Sequence, residues 1–147
     1  MTATQSALPR LPCACASLRR AARAVTQAYS DSLRSTGLHV TQFTILQALE
    51  KMGEAGQGQL GEVLALDATT LSRTLKLLER ESWIAITPGD DRRERRITLT
   101  RKGRAEIERA RPLWEGVQAR LRAVLGNSAW NELFAASDRI ARAAQGL

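Results

Sequence analysis

Two clusters of charged and hydroxyl side chains and one pair of thiols are the residues of this 147-residue chain whose types and spacing suit chemistry. Thr69, Thr70, Ser72, Arg73 and Lys76 fall opposite Leu71, Leu75 and Leu78 at helical spacing. Small hydroxyls with two cations suit a face that must approach polar, electron-rich edges closely. Arg73 offers a planar fork of donors, and Thr69 and Thr70 each offer a hydroxyl and a methyl. The second cluster runs Asp90-Asp91-Arg92-Arg93-Glu94-Arg95-Arg96. Here Arg92, Arg93, Arg95 and Arg96 could lay an arginine into a narrow electronegative groove, while the carboxylates hold guanidiniums in place. The third feature is Cys13-Ala14-Cys15, ahead of Arg19 and Arg20. Helix N-terminal amides and nearby cations favour thiolate, a nucleophile and a soft metal ligand. The pair reads either as a sensor of oxidants, electrophiles or a thiophilic metal ion, or as two inert thiols.

Composition narrows the classes. Hydrophobic residues are 44% of the chain and charged residues 25%, which is globular composition, and 22 Lys and Arg against 15 Asp and Glu leave a net charge of +7. That balance favours a polyanionic partner without proving one. No run approaches the ~18 apolar residues of a membrane span, and no basic start leads into an apolar stretch at the N-terminus. A cytoplasmic location is expected, where two cysteines do not form a structural bridge. An enzyme finds little support: there is one histidine, no glycine-rich phosphate loop and no HExxH. No cofactor is required.

The elements that must position these clusters can be read from periodicity. Residues 1–16, with Pro9 and Pro12, read as a flexible arm carrying Cys-x-Cys. From Ser17, the residues Leu18, Ala22, Val25, Tyr29 and Leu33 mark a helix that Gly37 ends. Thr41 is the expected cap of a second helix through Phe43, Leu46, Leu49 and Met52. Residues 53–58 hold three glycines and read as a break. A short helix over 59–66 and a longer one over 67–82 follow. Then 83–87 and 96–100 read as two β-prone segments whose charged loop makes a hairpin, a wing. Thr100 caps a long helix through Ile107, Ala110, Trp114, Val117, Leu121 and Val124 to Gly126, about 35–40 Å at ~1.5 Å per residue. Asn127 or Ser128 can cap a last helix bearing Trp130, Leu133, Phe134 and Ile140. The expected fold is mostly α with a small β-hairpin wing, a winged helix-turn-helix core over 37–100. It is flanked by dimerisation helices over 17–36 and 101–147. Those flanking helices carry more apolar face than one core can cover, so a homodimer is expected rather than a monomer with a helical cap.

Taken together, residues 17–145 resemble the MarR (multiple-antibiotic-resistance regulator) family. The matching pieces are Gly37-Leu38, Gln42-Phe43 with Leu46, Leu60 to Leu66, and Thr69-Thr70-Leu71-Ser72-Arg73 with Leu78-Glu79. The most specific piece is Asp91-x-Arg93 followed by Ile97-Thr98-Leu99-Thr100-x-x-Gly103. The resemblance implies a two-fold dimer that binds a pseudopalindromic duplex DNA operator, commonly as a repressor. It implies a recognition helix in the major groove, an Asp91 that orients the wing and an Arg93 in the minor groove. It also implies a glycine after the recognition helix, where this chain has Ser82-Trp83. Family members respond to small aromatic or anionic ligands, or to cysteine oxidation. Tyr29, His39, Phe43 and Trp114 are candidates to line an effector cleft, each with an alternative as a plain core or interface residue. A winged-helix protein-interaction module without specific DNA binding is the alternative function, and an RNA-binding winged helix a third.

Overall fold

A computed structural model describes residues 11–147; most of the expected arm lies outside them. Helix α1 (Ala14–Leu33) starts inside that arm, because nothing in Ala14-Cys15-Ala16-Ser17 opposes helix and the Ser17 N–H donates to the Cys13 carbonyl at 3.0 Å. Cys13 is therefore the residue before the helix, and Cys15 lies in its first turn. A short 3-10 turn (Arg34–Thr36) ends at Gly37, whose φ of 75° takes the left-handed conformation the reversal requires.

Helix α2 (Val40–Met52) is capped at His39, two residues before the predicted Thr41, which lies within the helix. The Gln42 side chain decides this by accepting the His39 backbone N–H at 2.9 Å. Phe43, Ile45, Leu46 and Leu49 are buried. Strand β1 (Glu54–Gly56) occupies the stretch read as a glycine-rich break. It forms because Ala55 pairs with Ile97 and Gly56 with Arg96 on a distant strand. Helix α3 (Gln57–Leu64) begins and ends two residues earlier than expected, started by a Gln59 side chain that accepts the Gly56 N–H at 2.9 Å. Helix α4 (Ala68–Arg80) follows Asp67.

Strands β2 (Ile84–Pro88) and β3 (Arg95–Leu99) form the hairpin, with Ile86 opposite Ile97, and the sheet order is β1-β3-β2. Helix α5 (Arg101–Gln145) starts at the predicted cap: Thr100 accepts the Gly103 N–H at 3.0 Å. At the expected stop, Gly126, the backbone leaves helical geometry with φ 78° and ψ 162°, so this kink divides α5 into two helical halves. Asn127, a predicted cap for a last helix, instead accepts a hydrogen bond from Arg122 Nε at 2.8 Å. The core gathers Leu33, Phe43, Leu46, Leu60, Leu78, Ile97 and Ile107 around the sheet. Among the described residues no helix is long and apolar enough to cross a membrane.

Candidate nucleic-acid interface

Helix α4 is amphipathic in the way its sequence demands. Leu71, Leu75 and Leu78 are buried, while Thr69, Arg73 and Lys76 are exposed and Ser72 is half-buried. A depression of about 530 Å³ runs along this face, walled by Gln57, Ala68, Thr69, Ser72, Arg73 and Lys76. Among the described residues, neither Arg73 nor Lys76 has a carboxylate within 4.0 Å. Thr70 has a structural job that its sequence position did not disclose. Its hydroxyl donates to Asp67 Oδ2 at 2.6 Å and its N–H to Asp67 Oδ1 at 2.8 Å, so it completes the helix cap. Those two hydrogen bonds, the hydroxyl first, hold the Asp67 carboxyl below the usual carboxylate range.

The wing tip is shaped by backbone hydrogen bonds. Gly89 donates to the Glu94 carbonyl at 2.7 Å, Glu94 to the Asp91 carbonyl at 2.9 Å, and the Arg93 N–H to Asp91 Oδ1 at 3.2 Å. Asp91 thus bends the tip by gripping main chain, the behaviour of aspartate in turns, and not by holding a guanidinium. Only Asp90 does the latter: it pairs with Arg96 Nη2 at 2.6 Å, and Glu54 of β1 stands 3.8 Å from Arg96 Nη1. Arg92, Arg93 and Arg95 are exposed, with no carboxylate within 4.0 Å among the described residues. The acidic residues of the loop therefore sort its arginines into one held against the sheet and three left to reach outward.

Wing and helix α4 are joined by a compact knot. Ser82 takes a left-handed φ of 61°, the conformation that favours the glycine expected there. That turn returns the Trp83 N–H to the Leu78 carbonyl at 2.9 Å. Thr100 then ties the far end of the hairpin to it: its hydroxyl donates to the Ser82 carbonyl at 2.7 Å and its N–H to the Trp83 carbonyl at 3.1 Å. Gly103 completes the knot, because a Cβ there would lie 2.0 Å from the Trp83 carbonyl oxygen. The Thr-x-x-Gly spacing is thus a packing requirement where α5 crosses the root of the wing.

Of the four candidates for an effector cleft, Phe43 and Trp114 pack on each other. Phe43 is a core residue, 1% exposed, with its ring centroid 6.2 Å from that of Trp114. His39 is exposed at the start of α2, and Tyr29 is half-buried, its phenol pushed up by that burial. Trp114 alone borders an open groove of about 680 Å³, shared with Gln118, Arg122 and Trp130 across the Gly126 kink. Cys13 and Cys15 are both exposed and unbridged. Among the described residues no group of three or more His, Cys, Asp or Glu gathers to hold a metal ion.

With this geometry in hand, likeness to known proteins is informative. The MarR family sequence profile matches residues 38–94. The transcriptional regulator MosR of M. tuberculosis, solved in complex with DNA, is 37% identical with a TM-score of 0.82, covering 91% of this chain and 97% of its own. The chain belongs to the MarR family. Two curated relatives align over less: the HTH-type transcriptional regulator YwoH of Bacillus subtilis is 29% identical over 62% of this chain and 66% of its own length. SarZ of Staphylococcus epidermidis is 33% identical over 54% of this chain, which spans 55% of SarZ. Within this MarR fold, two residues that line these hollows escaped the sequence reading. Gln57 was assigned to a glycine-rich break, and Trp130 only to the apolar face of a terminal helix. The pairing of β1 with β3 locates the first, and the kink at Gly126 the second. Neither is visible in local periodicity.

Proposed function

We propose that this protein is a transcriptional regulator that binds duplex DNA as a homodimer. Helix α4 enters the major groove and the wing the adjacent minor groove of a pseudopalindromic operator. The observation that carries this reading is the placing of carboxylate-free cations. Arg73 and Lys76 on α4 and Arg93 and Arg95 on the wing border two depressions that share Gln57 as a common wall. Arg73 is suited to a guanine edge, and Arg93 to a narrow minor groove. MosR, alike over nearly its whole length and solved in complex with DNA, supports the DNA-binding reading. The exposed apolar residues of α1 and of the far half of α5 supply the surface for a second copy. Operator binding is modulated by a small ligand, or by oxidation or metal binding at Cys13 and Cys15, which are exposed at the start of a helix that this dimer would use.

The test is fluorescence anisotropy on a 30-bp duplex selected by the protein from a random pool, at two salt concentrations and with and without a thiol oxidant. Binding should weaken steeply with salt, by about one unit of logarithmic slope per phosphate contact. Arg73→Ala should cost about 1–3 kcal/mol and relax preference at one base step. Arg93→Ala should weaken binding most where the minor groove is narrow. Binding that ignores salt, or unchanged affinity in both variants, would favour the protein-interaction reading. An oxidant effect that survives a Cys13→Ser, Cys15→Ser double substitution would remove the cysteines from the switch.

A further inference from the structure

Two depressions flank one residue to which the reading above gives no role of its own. The α4 depression and a groove of about 790 Å³ beside the wing, bordered by Arg93 and Arg95, both include Gln57 in their walls. A third hollow, of about 540 Å³ between α3 and α4, does too. Gln57 therefore stands at the junction of the three surfaces. Sheet register explains how it came there. Gly56 pairs with Arg96, so the chain leaves β1 and starts α3 level with Arg95, at the root of the wing. Two restraints hold the junction in place. The Gln59 side chain accepts the Gly56 N–H, and a Cβ at Gly61 would already touch the Leu66 carbonyl at 3.5 Å, so α3 lies close against the turn leading to α4.

This position has a consequence in duplex DNA. Adjacent major and minor grooves are divided by one sugar-phosphate strand, so a protein that fills both must straddle that strand. The residue between the two reading elements faces phosphate, not base edges. We propose that Gln57 is a backbone contact that donates its side-chain amide N–H to a phosphate oxygen, fixing the register between α4 and the wing. The inference rests on the DNA-binding reading above. Gln57 is half-buried and neutral, flanked by Arg73 on one side and Arg95 on the other. A strand whose phosphates meet both arginines would run past the start of α3, where Gln57 stands. Such a contact orients the protein and carries no sequence information itself.

The experiment compares the wild type with Gln57→Ala and Gln57→Lys on the selected 30-bp duplex and on a scrambled duplex of the same composition. Gln57→Ala should weaken binding to both duplexes by a similar factor, about fivefold or more, with the salt slope unchanged because no cation is lost. Gln57→Lys should recover the affinity and steepen the slope by about one unit per protomer. Thermal melts of both variants identify any folding defect; should Gln57→Ala melt early, the Lys variant decides on its slope. An Ala variant that binds like the wild type overturns the proposal. So does a loss confined to duplexes carrying one particular base pair, which would make Gln57 a base reader. Failure of the wild type to select any duplex would overturn the DNA-binding reading itself, and this inference with it.

Discussion

The two halves of α5 are built from similar residues and end in opposite situations. Before the kink, Gly103, Ile107, Ala110 and Val117 are buried against α2 and the sheet. That half is also tied across the fold: Arg111 reaches Glu50 at 3.0 Å, Arg109 donates to the Thr36 carbonyl at 2.7 Å, and Ser32 donates to the Leu113 carbonyl at 3.0 Å. After Val117 no residue is buried. Leu133, Phe134 and Ile140 are 45%, 53% and 43% exposed, and Trp130 meets Phe134 edge-on. Helix propensity is alike on both sides, so intrinsic preference does not explain the difference. What differs is the presence of a partner surface. The first half is a wall of the DNA-binding lobe, and the second is a face whose apolar area gains its ~25 cal/mol per Å² only against another molecule.

That contrast can be broken from either side. The largest effect is expected at the buried end. Gly103→Val pushes a side chain into the Trp83 carbonyl and the Leu99 side chain. It should destabilise the lobe by about 3 kcal/mol or more and abolish DNA binding, read by thermal melting and anisotropy. An unchanged melt would mean that α5 crosses the wing root less tightly than the geometry requires. At the exposed end, Phe134→Glu should leave the lobe folded while raising the dimer dissociation constant about a hundredfold. Sedimentation at several concentrations checks this, and a variant that stays dimeric would show that the far half of α5 is not the interface.

Smaller changes refine the lobe side. Ser82→Gly removes a side chain from a left-handed backbone position and should stabilise the protein by about 0.5–1 kcal/mol in a denaturant titration. A destabilised variant would show that the serine side chain contributes more than the strain it incurs. The smallest effect concerns Asp67. Its carboxyl titrates below the usual range in the folded state, so its contribution is full above about pH 4 and is lost as the pH falls through the folded value. In melts across that window, the wild type should lose stability with acid more steeply than Asp67→Asn, which keeps a cap without the charge. Parallel acid limbs would remove Asp67 as the titrating cap.

The hairpin, its charged tip and the apolar face of α4 were legible because each repeats with a period that local geometry imposes. Thr100 and Gly103 were legible as a spacing, though the reason for that spacing is a backbone approach visible only once α5 lies across Trp83. Thr70 was read only as an exposed hydroxyl at a helix start, and its part in the cap was not legible. The Asp67 carboxylate, three residues earlier, takes both its hydroxyl and its N–H. Asp91 was expected to orient the wing. The mechanism, a grip on the Arg93 N–H, needed the folded tip.

By itself, then, the sequence determined the order and kind of the helices, the wing and the surplus of apolar surface at both flanks, since these follow from side-chain period, caps and turn residues acting over a few positions. Tertiary structure alone decided that Glu54–Gly56 is a strand, that Gln57 stands between the two reading surfaces, and which arginines of the wing are held and which are left outward. Each of those outcomes depends on a partner more than thirty residues away or on competition among neighbouring charges, and no local pattern encodes who wins.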